Sequence, residues 1–508
     1  MRDSVWMAGQ KMLAGFDGTE VTGELRRAVR KHKIGNVILF QRNVVDAAQL
    51  RALCGELRAL IEEETGLPPL IAIDQEGGVV TRLGPDSAVT PSAMALAATG
   101  DPESALIAGR IIGRELSAMG VNFDLAPVLD VNSNPLNPVI GARSFGDDPA
   151  QVAAFGCAMI RGIQESGVLA CAKHFPGHGD TAVDSHLGLP RVDKSRAELE
   201  ACELVPFRAA VKAGVAAVMS SHILFPMAEE GMPATLSRRV MTGLLREELG
   251  FEGLIVSDCL MMSAIAHHHG VVPGCATASE AGIDLICVSH SLELAGAGCE
   301  AIASSVDAAE LEASALRIEA RKKRLPPPGD LSAVGCEEHR QAVRALREAS
   351  VTRVGAEIPD LGDRPLFVGC RAYQAAPVSN LVSRGDSFPE WLRDRLGGTA
   401  LVTASDPEEG EIARAAELAR QASCVVVGTY NGHLRRGQLE LVRALGGTGL
   451  PMVCVALRDP YDLKALPPHA CGLAVYEYSE ESLAVVAGAL RGEVSPRGRM
   501  SVRLEGKA

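Results

Sequence analysis

The sequence predicts an α/β protein with two domains, a (β/α)8 TIM-type barrel followed by a three-layer α/β sandwich. Three observations lead to this fold. Short apolar runs alternate with amphipathic helical stretches through the first two-thirds of the 508 residues, and most of these runs end in polar residues. A Pro- and Gly-rich segment then separates them from a second series of apolar runs. Strands that alternate with helices pair in parallel, as both domain types require.

The first series contains eight strand-like runs, at 11–16, 35–40, 69–74, 121–130, 168–175, 215–223, 254–258 and 283–289. Helical stretches lie between them, for example at 197–214 and 237–250. Eight such units favour a barrel over a doubly wound sheet. The polar residues follow the same end of the runs, as expected of a barrel whose active site lies at the carboxyl ends of its strands.

The second series follows the segment KKRLPPPGDLS at 322–332, which has the composition of a linker. A helical stretch is predicted over 337–354. Five more strand-like runs follow, at 364–370, 399–404, 423–430, 450–457 and 471–479. We therefore assign residues 1–322 to the barrel, 323–345 to the linker and 346–508 to a partly parallel α/β sandwich.

Composition argues against several classes of partner. Apolar residues make up 47% of the chain and charged residues 22%, which is typical of folded domains with sizeable cores. The net charge of −13 argues against nucleic acids and anionic membranes as partners. No window approaches the roughly 20 apolar residues of a membrane span. The GxGxxG and GxxxxGK[ST] motifs are absent, and we expect no cofactor.

Cysteine usage and the amino terminus predict a cytoplasmic location. The thirteen cysteines are scattered and form no CxxC pair, which is typical of reduced thiols in a cytosolic protein. The first residues, MRDSVWMAGQ, lack the apolar core and cleavage site of a signal peptide.

The segment KHFPGHGDTAVDSH, residues 173–186, follows the fifth predicted strand and carries three histidines. One interpretation is a metal site built from these histidines and the aspartates among them. The spacing argues against it, because Pro176 and two glycines break any helix that would place His174 and His178 on one face. We therefore expect no metal.

A second interpretation of this segment is proton transfer. Lys173 and His174 end a predicted strand and would face a bound substrate, while Asp184 and His186 lie two residues apart on the following loop. In an extended loop both side chains share one side, and a carboxylate beside an imidazole fixes its tautomer and raises its basicity. The spacing alone fits a proton-transferring pair and a solvated turn equally well.

Further motifs place chemically active side chains after strand-like runs. Asp74 in IDQEGG is suited to bind sugar hydroxyls or a metal, and Asp258 in LIVSD is suited to be a nucleophile on a rigid element. Either carboxylate is equally suited to cap a helix. Arg82 lies a little beyond Asp74. Arg143 in GARS is suited to an anionic or hydroxyl-rich ligand or to a structural salt bridge.

Together these motifs resemble glycoside hydrolase family 3, and within it the bacterial β-N-acetylhexosaminidases. The resemblance covers essentially the whole barrel and rests on KHFPGHGDTAVDSHLGLP, IDQEGG, GARSFGDDP and SDCLMM. The second domain is similar to the α/β sandwich that some members carry, through VVVGTYNGHLRRGQLELVRAL, ALRDPYDL and SPRGRMSV. Two residues depart from the family pattern, Val79 after IDQEGG and Cys259 after the nucleophile position.

The resemblance implies that Asp258 is the catalytic nucleophile and that His186, paired with Asp184, is the general acid/base. It implies that five residues bind the terminal sugar: Asp74, Arg82, Arg143, Lys173 and His174. The implied reaction is hydrolysis of terminal β-GlcNAc from muropeptides or chitooligosaccharides with retained configuration, in peptidoglycan recycling. The alternative is a β-N-acetylglucosaminide phosphorylase, because a neutral imidazole does not repel phosphate as a carboxylate does. Nothing in the sequence predicts an oligomeric state.

Overall fold

A computed structural model describes residues 3–182, 188–374, 376–379 and 387–504. In this part of the chain the first domain contains the strands β1 Met12–Gly15, β2 Asn36–Leu39, β3 Leu70–Ile73, β4 Phe123–Asp124, β5 Leu169–Phe175, β6 Ala217–Ser220, β7 Leu254–Val256 and β8 Ile286–Val288. They form one parallel sheet in the order β7-β6-β5-β4-β3-β2-β1-β8. A bridge between Val256 and Leu285 joins β7 to the segment that enters β8, so the sheet closes on itself. The predicted barrel is confirmed, and each strand lies inside the run that predicted it.

Helices connect the strands and surround the sheet. The α-helices of this domain are α1 Ser4–Lys11, α2 Gly23–His32, α3 Ala47–Thr65, α4 Ala93–Ala98, α5 Glu103–Met119, α6 Pro149–Glu165, α7 Arg196–Ala201, α8 Leu204–Lys212, α9 Ser263–Ala266, α10 Val271–Glu280, α11 Leu292–Ser305 and α12 Ala308–Lys322. A π-helix spans Arg239–Glu248. Among the described residues, none of the helices has the length and apolar character that a membrane span requires.

The single helix predicted over 197–214 is wrong. The chain forms α7 and α8 instead, with a break at Cys202 and Glu203. Proline lacks an amide hydrogen and fits without strain only in the first turn of a helix. Pro206 lies in the first turn of α8, whereas one continuous helix would have placed it in the interior.

Asp284, just before β8, ties several elements together at the amino-terminal end of the barrel. Its fully buried carboxylate accepts hydrogen bonds of 2.9–3.0 Å from Ile255 N, Arg246 Nη2, Ser314 Oγ and Arg317 Nε. These donors belong to β7, the π-helix and α12. A buried carboxylate needs such partners because the desolvation of an unpaired charge is costly.

Among the residues that the structure describes, the second domain is built on a six-stranded sheet. Its strands are β9 Thr352–Gly355, β10 Leu366–Cys370, β11 Thr399–Thr403, β12 Val425–Thr429, β13 Met452–Ala456 and β14 Cys471–Ala474, in the order β11-β10-β12-β13-β14-β9. Its helices are α13 Glu337–Ser350, α14 Phe388–Leu396, α15 Glu409–Ala419, α16 Arg436–Gly446 and α17 Glu480–Leu490. Apolar residues of α15 and α16 pack on one face and those of α14 and α17 on the other. The predicted three-layer sandwich is confirmed.

Residues 352–354 were expected to end a helix, and this expectation is wrong. They form β9, which pairs antiparallel with β14 while the other described strands of the sheet pair in parallel. The β-branched residues Thr352 and Val354 favour extended backbone. Helix α13 ends at Ser350, and the edge of β14 supplies the backbone partners of β9.

Helix α13 lies across the predicted limit at 345/346 and is anchored to the barrel. His339 Nδ1 lies 2.9 Å from Glu115 Oε1, and both side chains are buried. Arg347, further along α13, pairs with Glu477 at 2.6 Å and donates to the carbonyl of Val89 at 2.8 Å. The helix therefore contacts both domains, and the domain limits remain a prediction.

We predict that Asp284→Ala lowers the free energy of unfolding by about 3–5 kcal/mol, because two guanidinium groups lose their buried counter-charge. Asp284→Asn keeps the hydrogen-bond acceptor and should lose less. Urea unfolding followed by circular dichroism measures both. Asp193→Ala is the control, because Asp193 pairs with the exposed Arg191 and its loss should not shift the midpoint. An Asp284→Ala midpoint equal to that of the control would contradict the prediction.

Candidate active site

A pocket of about 630 Å³ lies at the carboxyl ends of the barrel strands. Residues that follow β2, β3, β7 and β8 line it, together with the end of β5 and a short segment of the second domain. The pocket brings together six residues that the sequence singled out: Asp74, Arg82, Arg143, Lys173, His174 and Asp258. Asp184 and His186 lie outside the described residues.

Lys173, at the end of β5, is the centre of an ion-pair network in this pocket. Its Nζ lies 2.8 Å from Asp74 Oδ1 and 2.6 Å from Glu76 Oε1. Arg143 binds the same Glu76 through two hydrogen bonds of 2.8 Å, from Nε and Nη2. Lys173, Glu76 and Arg143 are 2%, 6% and 4% exposed. The charges are therefore stabilised by one another rather than by water.

The network keeps Glu76 and Lys173 charged. Burial alone would raise the pKa of Glu76, but Arg143 and Lys173 hold this pKa well below its ordinary value. Burial alone would lower the pKa of Lys173, but Asp74 and Glu76 raise it above its ordinary value. Of the two interpretations of Arg143, the structure shows the salt bridge, and the same guanidinium also lines the pocket.

Asp130 organises two histidines beside this network. Its Oδ2 lies 2.7 Å from His174 Nδ1, and its Oδ1 accepts the amide of His178 at 2.7 Å. Burial alone would raise the pKa of Asp130, but His174 and these hydrogen bonds lower it. The carboxylate orients the His174 ring through Nδ1. Among the described residues, no group of three or more His, Cys, Asp or Glu side chains is arranged to hold a metal ion.

His178 is packed against His174, with ring centres 5.7 Å apart and planes at 73°. Its Nδ1 lies 2.8 Å from Thr181 Oγ1. Burial and the neighbouring His174 lower the pKa of His178 to about 4. At neutral pH this ring is therefore uncharged.

Asp258 lies two residues beyond β7 and is partly exposed to the pocket. Its Oδ1 accepts the amide of Cys259 at 2.7 Å. The helix-capping interpretation is wrong for both Asp258 and Asp74, because the helices that follow them begin several residues later with Met262 and Ser92 as caps. Both carboxylates point into the pocket instead.

His222, just after β6, supports the turn that carries Asp258. Its Nε2 lies 2.9 Å from the carbonyl oxygen of Cys259, and its Nδ1 lies 2.8 Å from Thr235 Oγ1. The ring is 1% exposed. Because His222 has a partner at each nitrogen, it holds the backbone of residue 259, and thereby the neighbouring carboxylate, in place.

Asp124, on β4, is a buried carboxyl group close to the network. Burial raises the pKa of Asp124 well above its ordinary value, and the nearby carboxylates of Asp74 and Glu76 raise it further. Its Oδ1 accepts the amide of Gln75 at 3.0 Å. The raised pKa favours the protonated form of Asp124, and the hydrogen bond from Gln75 fixes the start of the Gly-rich segment that follows β3.

The second domain supplies one wall of the pocket. The carbonyl of Val378 accepts a hydrogen bond of 2.9 Å from Arg82 Nη2. Ser379 Oγ lies 3.3 Å from Nη2 of Arg458, which is 1% exposed. Arg82, predicted to bind the sugar, thus also anchors this wall of the pocket.

The second domain also shapes the turn that carries Arg143. Asp459 Oδ1 accepts the amide of Ala142 at 2.7 Å. Gly141 has a φ of +44°, and a Cβ there would lie 2.4 Å from Asp459 Oδ2. Glycine is therefore required by the backbone conformation and by the close approach of the carboxylate.

The sequence placed Asp130 and His222 among the polar residues at the ends of strand-like runs but assigned them no role, and it did not point to Glu76 or to the segment 376–379. Glu76 lies in the recognised motif IDQEGG, and its position just after a strand-like run was the available signal. The segment 376–379 carries no comparable signal, because it reaches the pocket through the docking of one domain on the other.

A comparison with family models matches residues 7–325 to the glycosyl hydrolase family 3 N terminal domain. This match covers more than half of the chain and includes the eight barrel strands. The resemblance carried by the sequence motifs is therefore confirmed.

Curated proteins with similar sequences include Beta-hexosaminidase A of Pseudoalteromonas piscicida, 35% identical over 369 residues, which are 66% of this chain and 62% of that protein. The Beta-hexosaminidase of Thiobacillus denitrificans is 39% identical over 284 residues, 55% of this chain and 77% of that protein. The chain thus spans less than two-thirds of the length of the first relative.

A solved structure extends the similarity to both domains. The structure of a glycoside hydrolase family 3 beta-N-acetylglucosaminidase from Paenibacillus sp. is 37% identical to this chain, and the two align over 100% of each chain with a TM-score of 0.91.

We predict that His178 destabilises the folded protein in mild acid. In the folded state the ring binds a proton only near pH 4, whereas an unfolded histidine does so near 6.5. Protonation therefore favours the unfolded state, and the free energy of unfolding decreases as the pH falls from about 6.5 towards 4. Between pH 7 and pH 5 the loss from this group should be about 2 kcal/mol. Urea unfolding at both pH values measures this loss. The free energy of unfolding should fall by this amount more in the wild type than in His178→Gln, and equal decreases would refute the lowered pKa of His178.

Proposed function

Because this chain belongs to glycoside hydrolase family 3, we propose that it is an exo-acting, retaining β-N-acetylglucosaminidase. Its substrate is the terminal non-reducing β-GlcNAc of muropeptides or chitooligosaccharides. One observation carries the proposal: a carboxylate on a rigid strand end, Asp258, shares a pocket of sugar size with the charged network around Lys173. The names of the similar hexosaminidases support the substrate class.

Asp258 is the nucleophile in this proposal. One of its oxygens forms a bond to the anomeric carbon while the bond to the leaving oxygen breaks, which gives a covalent glycosyl-enzyme. The amide of Cys259 holds Asp258 Oδ1 at 2.7 Å, and His222 holds the same turn. A nucleophile fixed in this way needs little reorganisation when the sugar binds.

His186, paired with Asp184, is the general acid/base. The protonated imidazole gives its proton to the leaving oxygen, and the neutral imidazole then takes a proton from the water that attacks the glycosyl-enzyme. Two displacements at the same carbon restore its configuration. An imidazole titrates near neutral pH, so it serves both steps without the large pKa shift that a carboxylic acid would need.

The ion-pair network binds the hydroxyl groups of the terminal sugar. Asp74 accepts hydrogen bonds from these groups, while Lys173, Arg143 and His174 are positioned to donate to them. The ion pairs hold these side chains in place before substrate arrives, so the donors and acceptors that face the sugar are preorganised. The negative charges of Asp74 and Asp258 favour the positive charge that develops on the sugar ring in the transition state.

The cysteines bear on where in the cell the enzyme works. All thirteen cysteines are free thiols, which fits a reducing compartment. We place the enzyme in the cytoplasm, where it would release GlcNAc during the recycling of peptidoglycan fragments.

We predict that the protein releases free GlcNAc from an aryl β-N-acetylglucosaminide and from GlcNAc–anhydro-MurNAc, with chitobiose as a comparison substrate. Asp258→Asn should lower kcat by about 10⁴-fold or more, since no covalent intermediate forms. Product chromatography and initial rates measure both, in buffers with and without phosphate. Formation of GlcNAc-1-phosphate would favour the phosphorylase, and normal turnover by Asp258→Asn would refute the nucleophile.

For His186→Gln we predict a loss that depends on the leaving group. A 2,4-dinitrophenyl glycoside needs little proton donation, so its first step should slow less than about 10-fold, whereas a methylumbelliferyl glycoside should lose about 10²–10⁴-fold. Pre-steady-state bursts and steady-state rates separate the two steps. Equal losses for both substrates would assign His186 a purely structural role.

A further inference from the structure

Two cysteine side chains line the pocket next to the proposed nucleophile. Cys259 follows Asp258 directly and is partly exposed, whereas Cys287 lies on β8 and is 2% exposed. The chemistry proposed above uses neither thiol. Residue 259 is also one of the two positions at which the sequence departs from the family pattern.

Cys259 and Cys287 lie next to each other at the seam of the barrel, where β7 and β8 close the sheet. The amide of Leu260 donates to the carbonyl of Cys287 at 3.0 Å, so the backbones run next to each other at this point. Both side chains line the same pocket, and the two thiols are close enough to influence each other's pKa. Cys287 Sγ in turn lies 3.1 Å from Ser289 Oγ.

The two thiols differ in reactivity. The hydrogen bond from Cys287 lowers the pKa of Cys259 to about 7, and Arg42 lies close enough to interact electrostatically with Cys259. The pKa of Cys287 is raised well above its ordinary value by the same hydrogen bond and by burial. Burial raises the pKa of Cys54 to about 12, as is typical of structural cysteines. Because Cys259 is also the partly exposed thiol of the pair and Cys287 is buried, Cys259 is the thiol that a reagent in the pocket reaches first.

We propose that Cys259 is a modification site for peroxides and soft electrophiles, with Cys287 as the resolving thiol. With hydrogen peroxide, the Cys259 thiolate attacks one oxygen, the O–O bond breaks, and a sulfenic acid forms while the other oxygen leaves as water after protonation. Cys287 sulfur then displaces the hydroxyl group, which leaves as a second water. Two thiols are oxidised to one disulfide, and one peroxide is reduced to two waters.

Modification at this position blocks the pocket and disturbs the nucleophile. An alkyl group on Cys259 occupies space where a sugar would bind. A disulfide draws Cys259 towards β8, and the Cys259 amide is the group that holds Asp258 Oδ1. Pocket ligands and thiol reagents therefore compete for the same space. The reactivity of Cys259 and Cys287 does not depend on which substrate the pocket binds, so it is tested independently of the proposed function.

The first test measures labelling of the full-length protein by iodoacetamide at pH 7, followed by peptide mass spectrometry. Cys259 should react about 10-fold faster than Cys336, a partly exposed thiol outside the pocket. Added GlcNAc should slow labelling of Cys259 and leave Cys336 unchanged. Equal rates at the two cysteines would overturn the proposal whether or not the protein has hexosaminidase activity.

The second test treats the protein with hydrogen peroxide and searches for a Cys259–Cys287 disulfide. Wild-type protein should form this cross-link, lose at least about 10-fold of its activity and recover in dithiothreitol. Cys259→Ser and Cys259→Ala should resist the loss relative to their own untreated rates, and Cys336→Ser should behave like the wild type. Cys287→Ser should lose activity without recovery, because the sulfenic acid is oxidised further. The proposal is refuted if peroxide lowers the activity of the Cys259 variants as much as that of the wild type, or if the disulfide forms between other cysteines.

Discussion

The pocket depends on the ion pairs that Lys173 makes with Asp74 and Glu76. An ammonium group that is 2% exposed is tolerated only where carboxylates replace its hydration. Those carboxylates follow β3, the lysine ends β5, and Arg143 reaches Glu76 from the turn after β4. Each partner therefore fixes the position of the others, and the carboxyl end of the barrel becomes a rigid charged surface rather than a set of independent loops.

The second domain completes this surface from outside the barrel. Arg82 binds the carbonyl of Val378, and Asp459 binds the amide of Ala142 next to Arg143. Contacts between the domains therefore act on two of the residues expected to bind sugar. The sandwich domain is thus part of the construction of the pocket, and its sheet provides the rigid support for a wall that the barrel strands do not supply.

The backbone around residue 259 links three chemical functions. Its amide holds Asp258, its carbonyl binds His222, and its side chain lines the pocket together with Cys287. The same few atoms thus position both the carboxylate that we propose as the nucleophile and the thiol that we propose as the site of oxidation. Both groups are held at the seam where β7 and β8 close the barrel, so their proximity follows from the closure of the sheet.

The sequence by itself determined the barrel, the sandwich and which strand ends carry Asp74, Lys173 and Asp258, because the alternation of apolar runs and helical stretches is a local property of the chain. Only the tertiary structure decided which charge meets which. Arg143 and Glu76 are 67 positions apart and Arg82 and Val378 are 296 apart, so these partners depend on strand order and domain docking. The break before Pro206 and the antiparallel β9 were misjudged for a related reason: helical periodicity extends across a short interruption, and a short edge strand is fixed by its neighbour in the sheet rather than by its own few residues.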